Sequence, residues 1–390
     1  MSDRSETALL LVLTLWAAGL CAAGQFAKIS VSYGALSDIY PQAGAALGYA
    51  VSLISLLGVV LGATAGTLVG WLGFRRVLLA ALLLGAAVSL VQASLPGFGL
   101  FLLSRVVEGV SHLAIVVAAP TLIAQVTAPR HQAAAMTLWS CFFGVAYAVF
   151  AWAGIPLIRA AGPAPLYAIH AGGCLAVAAA LWRMLPRDRA GAAVPPRLSR
   201  VLADLVAIYR SPRTNAAALG WLCYTFTFVA ILTLLPQIVG DGPAAGLIGA
   251  MPLVSIGTSL TLGVALLQRI PAERVLIAGF AAALVVLPLI GTMPGAAWPF
   301  LVLAMVWGLI QGAGFAMIPQ LNSTLETRAR ANGALAQMGN LGNLLGTPVL
   351  AALLLAGGLT AVLLAILAIY GCAIAVQLWL ARLRARSISA

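Results

Sequence analysis

The chain has 390 residues, 63% of them hydrophobic and only 8% charged. A soluble globular domain carries about 25% charged residues, so this composition excludes one, and with it a disordered or nucleic-acid-binding chain. What remains is an all-α polytopic membrane protein, embedded in a lipid bilayer.

A bilayer core of about 30 Å takes about 20 apolar residues in a helix. Twelve such runs follow one another, beginning near Ala8, Ala46, Val77, Leu100, Ala135, Pro165, Thr214, Ala245, Val275, Trp298, Ala334 and Thr360. Gly, Pro or Arg clusters separate them, among them Gly73-Phe74-Arg75-Arg76, Pro96-Gly97, Gly162-Pro163, Asp241-Gly242-Pro243 and Gly357-Gly358. The first run sits behind Arg4, as a signal peptide would. Because many runs follow it, it reads as a retained signal-anchor helix.

Charge position fixes the orientation. Of the 21 basic residues only Lys28 is not Arg. With the N-terminus inside and the spans alternating, every basic residue except Lys28, Arg105 and Arg159 falls on the cytoplasmic side. Both termini are then cytoplasmic, in a bacterial-type inner (plasma) membrane. The net charge of +12 is a topology signal and says little about partners.

A polar stretch divides the chain into expected domains at 1–186, 187–213 (linker) and 214–390. Within the linker, residues 197–210 alternate Leu, Val and Ile with Arg, as in a helix lying on the membrane surface. The halves repeat weakly. Arg76-Val77-Leu78-Leu79-Ala80 returns as Arg274-Val275-Leu276-Ile277-Ala278, and Pro120 as Pro319. Parallel six-span repeats point to two six-helix bundles related by a pseudo-two-fold axis. The five Cys fall in apolar runs without a C-x-x-C, so neither a disulfide framework, a metal site nor a cofactor is expected.

The segment Gly66-Thr67-Leu68-Val69-Gly70-Trp71-Leu72-Gly73-Phe74-Arg75-Arg76 resembles the signature loop between spans two and three of the major facilitator superfamily, G-x-x-x-D-R-x-G-R-R-R. Gly66, Gly73, Arg75 and Arg76 match. Gly70 and Trp71 replace its Asp and first Arg. Arg105-Val106-Val107-Glu108-Gly109 is similar to the R-x-x-Q-G pattern of proton-coupled members. The fifth span lacks the G-P-x-x-G-G pattern of drug/proton antiporters. The resemblance covers the whole chain. It implies a monomeric secondary transporter whose first and fourth helices line a central cavity.

A charge at mid-membrane costs about 2.5–3.5 kcal/mol on insertion scales and so marks function. Lys28, Arg105 and Glu108 lie inside spans, with His112 as a further titratable group. Arg105, Glu108 and His112 share one helix face, as do Gln25, Lys28 and Ser32. Lys28 and Glu108 each lie about 14 Å from the outer end of their spans, which predicts an ion pair. Glu108 is then the proton carrier. Ionised, it pairs with Lys28 or Arg105; protonated, it releases them to an anionic substrate group. His112 could tune or relay the proton. The plain alternative is a permanent salt bridge between helices.

The second half carries aromatic stripes instead. Trp221, Tyr224 and Phe228 share a face, as do Trp307, Gln311 and Phe315. They suit either packing or the apolar body of a small organic anion or zwitterion. Gly339 to Pro348 reads as a close-packing segment, with Asn340 and Asn343 as candidate hydrogen-bonding residues.

The expected function is proton-coupled transport of a small organic solute by alternating access, with the substrate and protons as partners. A drug or metabolite exporter is the alternative, disfavoured by Lys28. A transition-metal importer ranks lower, because no M-x-x-x-M or H-x-x-x-M exists. No nucleophile–base pattern suggests an enzyme.

Overall fold

The computed structural model describes residues 7–62, 64–187, 205–293 and 295–386. Helices dominate, as they must where backbone polar groups have no water to bond. In chain order the membrane-length helices are α1 (Leu9–Val31), α2 (Pro41–Leu61), α3 (Phe74–Ala93), α4 (Phe98–Val126), α5 (Phe142–Ala161), α6 (Ala164–Met184), α7 (Ala216–Val239), α8 (Asp241–Leu267), α9 (Ala272–Thr292) and α10 (Trp298–Leu321). An eleventh segment, Glu326–Arg386, is too long for one crossing. It breaks at Gly358, whose φ of 63° and ψ of −163° suit a residue without Cβ. The break yields α11 (326–357) and α12 (359–386), and so the expected twelve spans. Gly73, at φ 96°, makes the corresponding turn into α3.

The exposed faces of the helices are apolar, and the mainly apolar interior of the first unit also holds polar and charged side chains. On α4, Leu100, Leu103, Val107 and Val110 form an exposed stripe. The opposite stripe, Phe101, Ser104, Arg105, Glu108, Ser111 and His112, is buried.

The chain divides into two compact units. Among the described residues, the first holds 7–43 and 64–187, and the second holds 44–62 and 205–386. This differs from a simple cut into sequence halves, because most of α2 packs on α11. Gly48 lies against Pro348 and Gly58 against the Asn340 side chain, both too close to admit a Cβ. The Gln337 side-chain amide donates to the Val59 carbonyl at 2.7 Å. Small residues along α2 allow this approach.

Residues 205–210 of the expected amphipathic helix are helical; 188–204 lie outside the described residues, as does Arg4. Ile208 packs on Ala218 and Ala334. Leu205 is half-buried and Val206 exposed.

The repeat is visible inside each unit. Ser32 of α1 bonds the Tyr167 hydroxyl of α6 at 2.6 Å, and Thr227 of α7 bonds the Tyr370 hydroxyl of α12 at 2.5 Å. Arg75 at the start of α3 donates to the Trp182 and Leu185 carbonyls at the end of α6, at 3.0 and 3.1 Å. Glu273 at the start of α9 pairs with Arg384 at the end of α12.

Candidate functional site

Three helices of the first unit converge on one carboxylate. Lys28 of α1 donates to Glu108 Oε1 of α4 at 2.7 Å. Arg105, one turn earlier on α4, pairs with Oε2. The Gln92 amide of α3 also donates to Oε2, at 2.8 Å, and to Ser104 at 3.1 Å. Spacing alone pairs Glu108 with Lys28 or Arg105; in the structure it holds both at once. Lys28, Arg105, Glu108, Ser89 and Gln92 are all 0% exposed. Two cations and one anion leave a formal charge of +1 shielded from solvent. A buried charge is tolerated only when paired and hydrogen-bonded. Here the donors to the carboxylate meet that requirement for Glu108.

The remaining candidates on these helices are placed as follows. Gln25 donates to Ser111 at 2.8 Å, and Ser111 to the Ala81 carbonyl at 2.7 Å. Gly85 makes room for them, since a Cβ there would lie 2.7 Å from Gln25 Nε2. Ser32 is taken up by Tyr167. His112 bonds the Ala22 carbonyl at 3.0 Å and meets Phe26 edge-on at 5.0 Å. Its hydrogen bond thus goes to the backbone of a neighbouring helix.

Four residues of the cluster escape sequence inspection. Ser89 accepts from Lys28 at 2.6 Å and contacts His170 Nδ1 at 2.8 Å. Tyr167 presents its ring to the Lys28 ammonium, 5.7 Å from the centroid. Gln92 completes the carboxylate's shell. His170 lies in an apolar run just as His112 does, so the criterion that flags one also flags the other.

Before α3, Gly66 is exposed in a short helix (Ala65–Leu72), and Gly73 turns the chain after it. Arg75 stacks on Trp182 at 4.8 Å while bonding the end of α6; Arg76 is exposed. Arg75 thus binds helix-end carbonyls, which need a donor, without the motif's Asp.

The second unit holds an aromatic ladder. Ring centroids run from Phe315 to Trp221 at 4.9 Å, Trp221 to Tyr224 at 4.8 Å, Tyr224 to Phe228 at 5.4 Å and Phe228 to Trp307 at 5.2 Å. Trp307 is 0% exposed and gives its N–H to Tyr370 at 2.8 Å, which makes it a core residue. Gln311 contacts Ser255 at 3.4 Å. Asn340 bonds the Ala336 carbonyl of its own helix and, like Asn343, is half-buried.

The family model of the Major Facilitator Superfamily matches residues 15–321. The chain belongs to that superfamily. It is an integral membrane transporter of twelve helices in two bundles, and not an enzyme. The 3-(3-hydroxy-phenyl)propionate transporter of Escherichia coli (strain K12) is 27% identical over 327 residues, 77% of this chain and 76% of that protein. A D-xylose–proton symporter superposes with a TM-score of 0.77 at 15% identity, covering 96% of this chain and 97% of its own. A bacterial homologue of the human lysosomal transporter Spinster, inward-facing and occupied, gives 0.74 at 14% identity, covering 96% and 97%. At these identities the two structures speak for the fold alone.

Proposed function

We propose that this superfamily member carries a small organic anion, an aryl-alkyl carboxylate, together with a proton by alternating access. The observation that carries the reading is the carboxylate of Glu108 held by two cations at once. A substrate carboxylate is chemically equivalent to the Glu108 side chain and competes for Lys28 and Arg105. Protonation of Glu108 weakens its hold on both, and the freed cations take the substrate anion. Proton and anion then bind together, and neither binds well alone. The formal +1 of the trio favours an anion over a neutral or cationic solute. The named cargo of the Escherichia coli relative is itself a carboxylate with an aryl body. For the second unit taken by itself, Trp221 is half-buried, with Tyr224 and Phe228 buried behind it in the aromatic ladder.

The test is uptake of labelled 3-(3-hydroxyphenyl)propionate by proteoliposomes holding the purified protein. An acid-outside gradient accelerates uptake, and a protonophore abolishes the acceleration. Uptake at one rate with and without the gradient overturns proton coupling. Uptake of the neutral amide as fast as the acid overturns the anion assignment.

A further inference from the structure

The tautomer of His170 can be derived from its neighbours. Nε2 lies 2.9 Å from the Cys21 carbonyl oxygen, which only accepts, so Nε2 carries a hydrogen. In the neutral ring Nδ1 is then an acceptor, and the Ser89 hydroxyl at 2.8 Å donates to it. The lone pairs of Ser89 receive Lys28 Nζ at 2.6 Å, and Lys28 donates to Glu108 Oε1 at 2.7 Å. One unbroken chain of hydrogen bonds therefore joins His170 to Glu108 across α6, α3, α1 and α4. Among the described residues His112 has no such link; its bond goes to the Ala22 carbonyl.

We propose that His170 is the group through which the proton carried by Glu108 arrives and leaves, by way of Ser89 and Lys28. The inference rests on the reading of Glu108 as the proton carrier. Starting from a His170 imidazolium, Lys28 passes a proton to Glu108 Oε1 and becomes a neutral amine. Ser89 turns its hydroxyl and gives its proton to Lys28 Nζ. His170 gives its Nδ1 proton to Ser89. The products are a neutral carboxylic acid, an ammonium, a hydroxyl and a neutral imidazole, so one proton has moved and no bond between heavy atoms has changed. The reverse sequence discharges Glu108.

The ring is held for this task. A Cβ at Gly24 of α1 would lie 2.9 Å from His170 Cδ2 and 3.0 Å from the Phe150 ring of α5, so only Gly fits there. Among the described residues, the titratable and charged groups around the chain are Cys174, whose Sγ lies 3.8 Å from Nε2, the Cys21 thiol of α1, Tyr167 beside Lys28, Arg105 on the far oxygen of Glu108, His112 one turn along α4 from Glu108, and Tyr147 beside Arg105.

A relay changes the rate at which Glu108 titrates and leaves the end point alone. The purified protein in liposomes is given a rapid acid jump, and the protonated-carboxyl infrared band, assigned by its loss in Glu108→Gln, is followed in time. His170→Gln and Ser89→Ala slow its rise by about 100-fold, the low end of what a positioned proton-transfer group contributes, with the final amplitude unchanged. Ser89→Thr, which keeps a hydroxyl, restores the rate. Wild-type rates in both His170→Gln and Ser89→Ala overturn the relay and leave the carrier reading intact. Loss of amplitude in both makes the two residues structural and overturns the relay too. A carboxyl band in the unaltered protein that does not respond to pH removes the carrier reading, and the relay with it.

Discussion

Replacing Lys28 by Met removes one of two cations from a trio that is 0% exposed and keeps the side chain's length. Two effects follow, and they have different sizes. Breaking a buried pair costs about 3–5 kcal/mol when it strands the partner charge. Glu108 is not stranded here, because Arg105 and Gln92 stay on Oε2 and Ser89 keeps His170. The fold therefore loses less than that range, under about 3 kcal/mol. The ligand effect is separate. A hydrogen bond to a charged group is worth about 1.5–3 kcal/mol, which is about a 10–150-fold change in Kd. Calorimetric titration of Lys28→Met with 3-(3-hydroxyphenyl)propionate and with its neutral amide distinguishes the two effects. The acid weakens by that factor and the amide does not. An equal loss for both ligands, or unchanged affinity for the acid, refutes the assignment of Lys28 to the substrate.

Arg75→Ala removes two donors and a stacked guanidinium from the end of α6. It costs about 2 kcal/mol and speeds amide hydrogen exchange near Leu185. Arg76→Ala, at an exposed position, stays within about 0.5 kcal/mol of the unaltered protein. Gly24→Ala drives a methyl into the His170 and Phe150 rings. It costs about 1–3 kcal/mol in denaturation experiments, and Gly34→Ala, with nothing within 4 Å, costs far less.

Charge in an apolar run is loud, and that part of the site is legible. Lys28 is the one charge of its helix and Glu108 the one carboxylate of its own, and a rise of about 1.5 Å per residue puts them at one depth. Their bond at 2.7 Å follows. Uncharged partners are quiet. Ser89 and Gln92 sit in α3 among apolar residues with nothing in one dimension to mark them. Their meaning comes from α3 lying beside α1, α4 and α6, which spacing does not encode. Histidine falls between these cases. His112 and His170 look alike in sequence; both reach a backbone carbonyl of α1, and only packing also sets His170 against Ser89. The span count was readable because Gly358 and Gly73 break helices by backbone conformation. The packing of α2 on α11 was not, since Gly48 and Gly58 tell of close approach but not of the partner.

The most direct test of the central claim uses Glu108→Gln in proteoliposomes, with labelled 3-(3-hydroxyphenyl)propionate on both arms. One proton moving with each anion lets the unaltered protein accumulate substrate about ten-fold per pH unit of gradient, since one unit is about 1.36 kcal/mol. Glu108→Gln keeps counterflow exchange at equal pH and loses the accumulation, so inside and outside concentrations level. Accumulation by Glu108→Gln to the same ten-fold (about 1.36 kcal/mol) per pH unit as the unaltered protein contradicts the account.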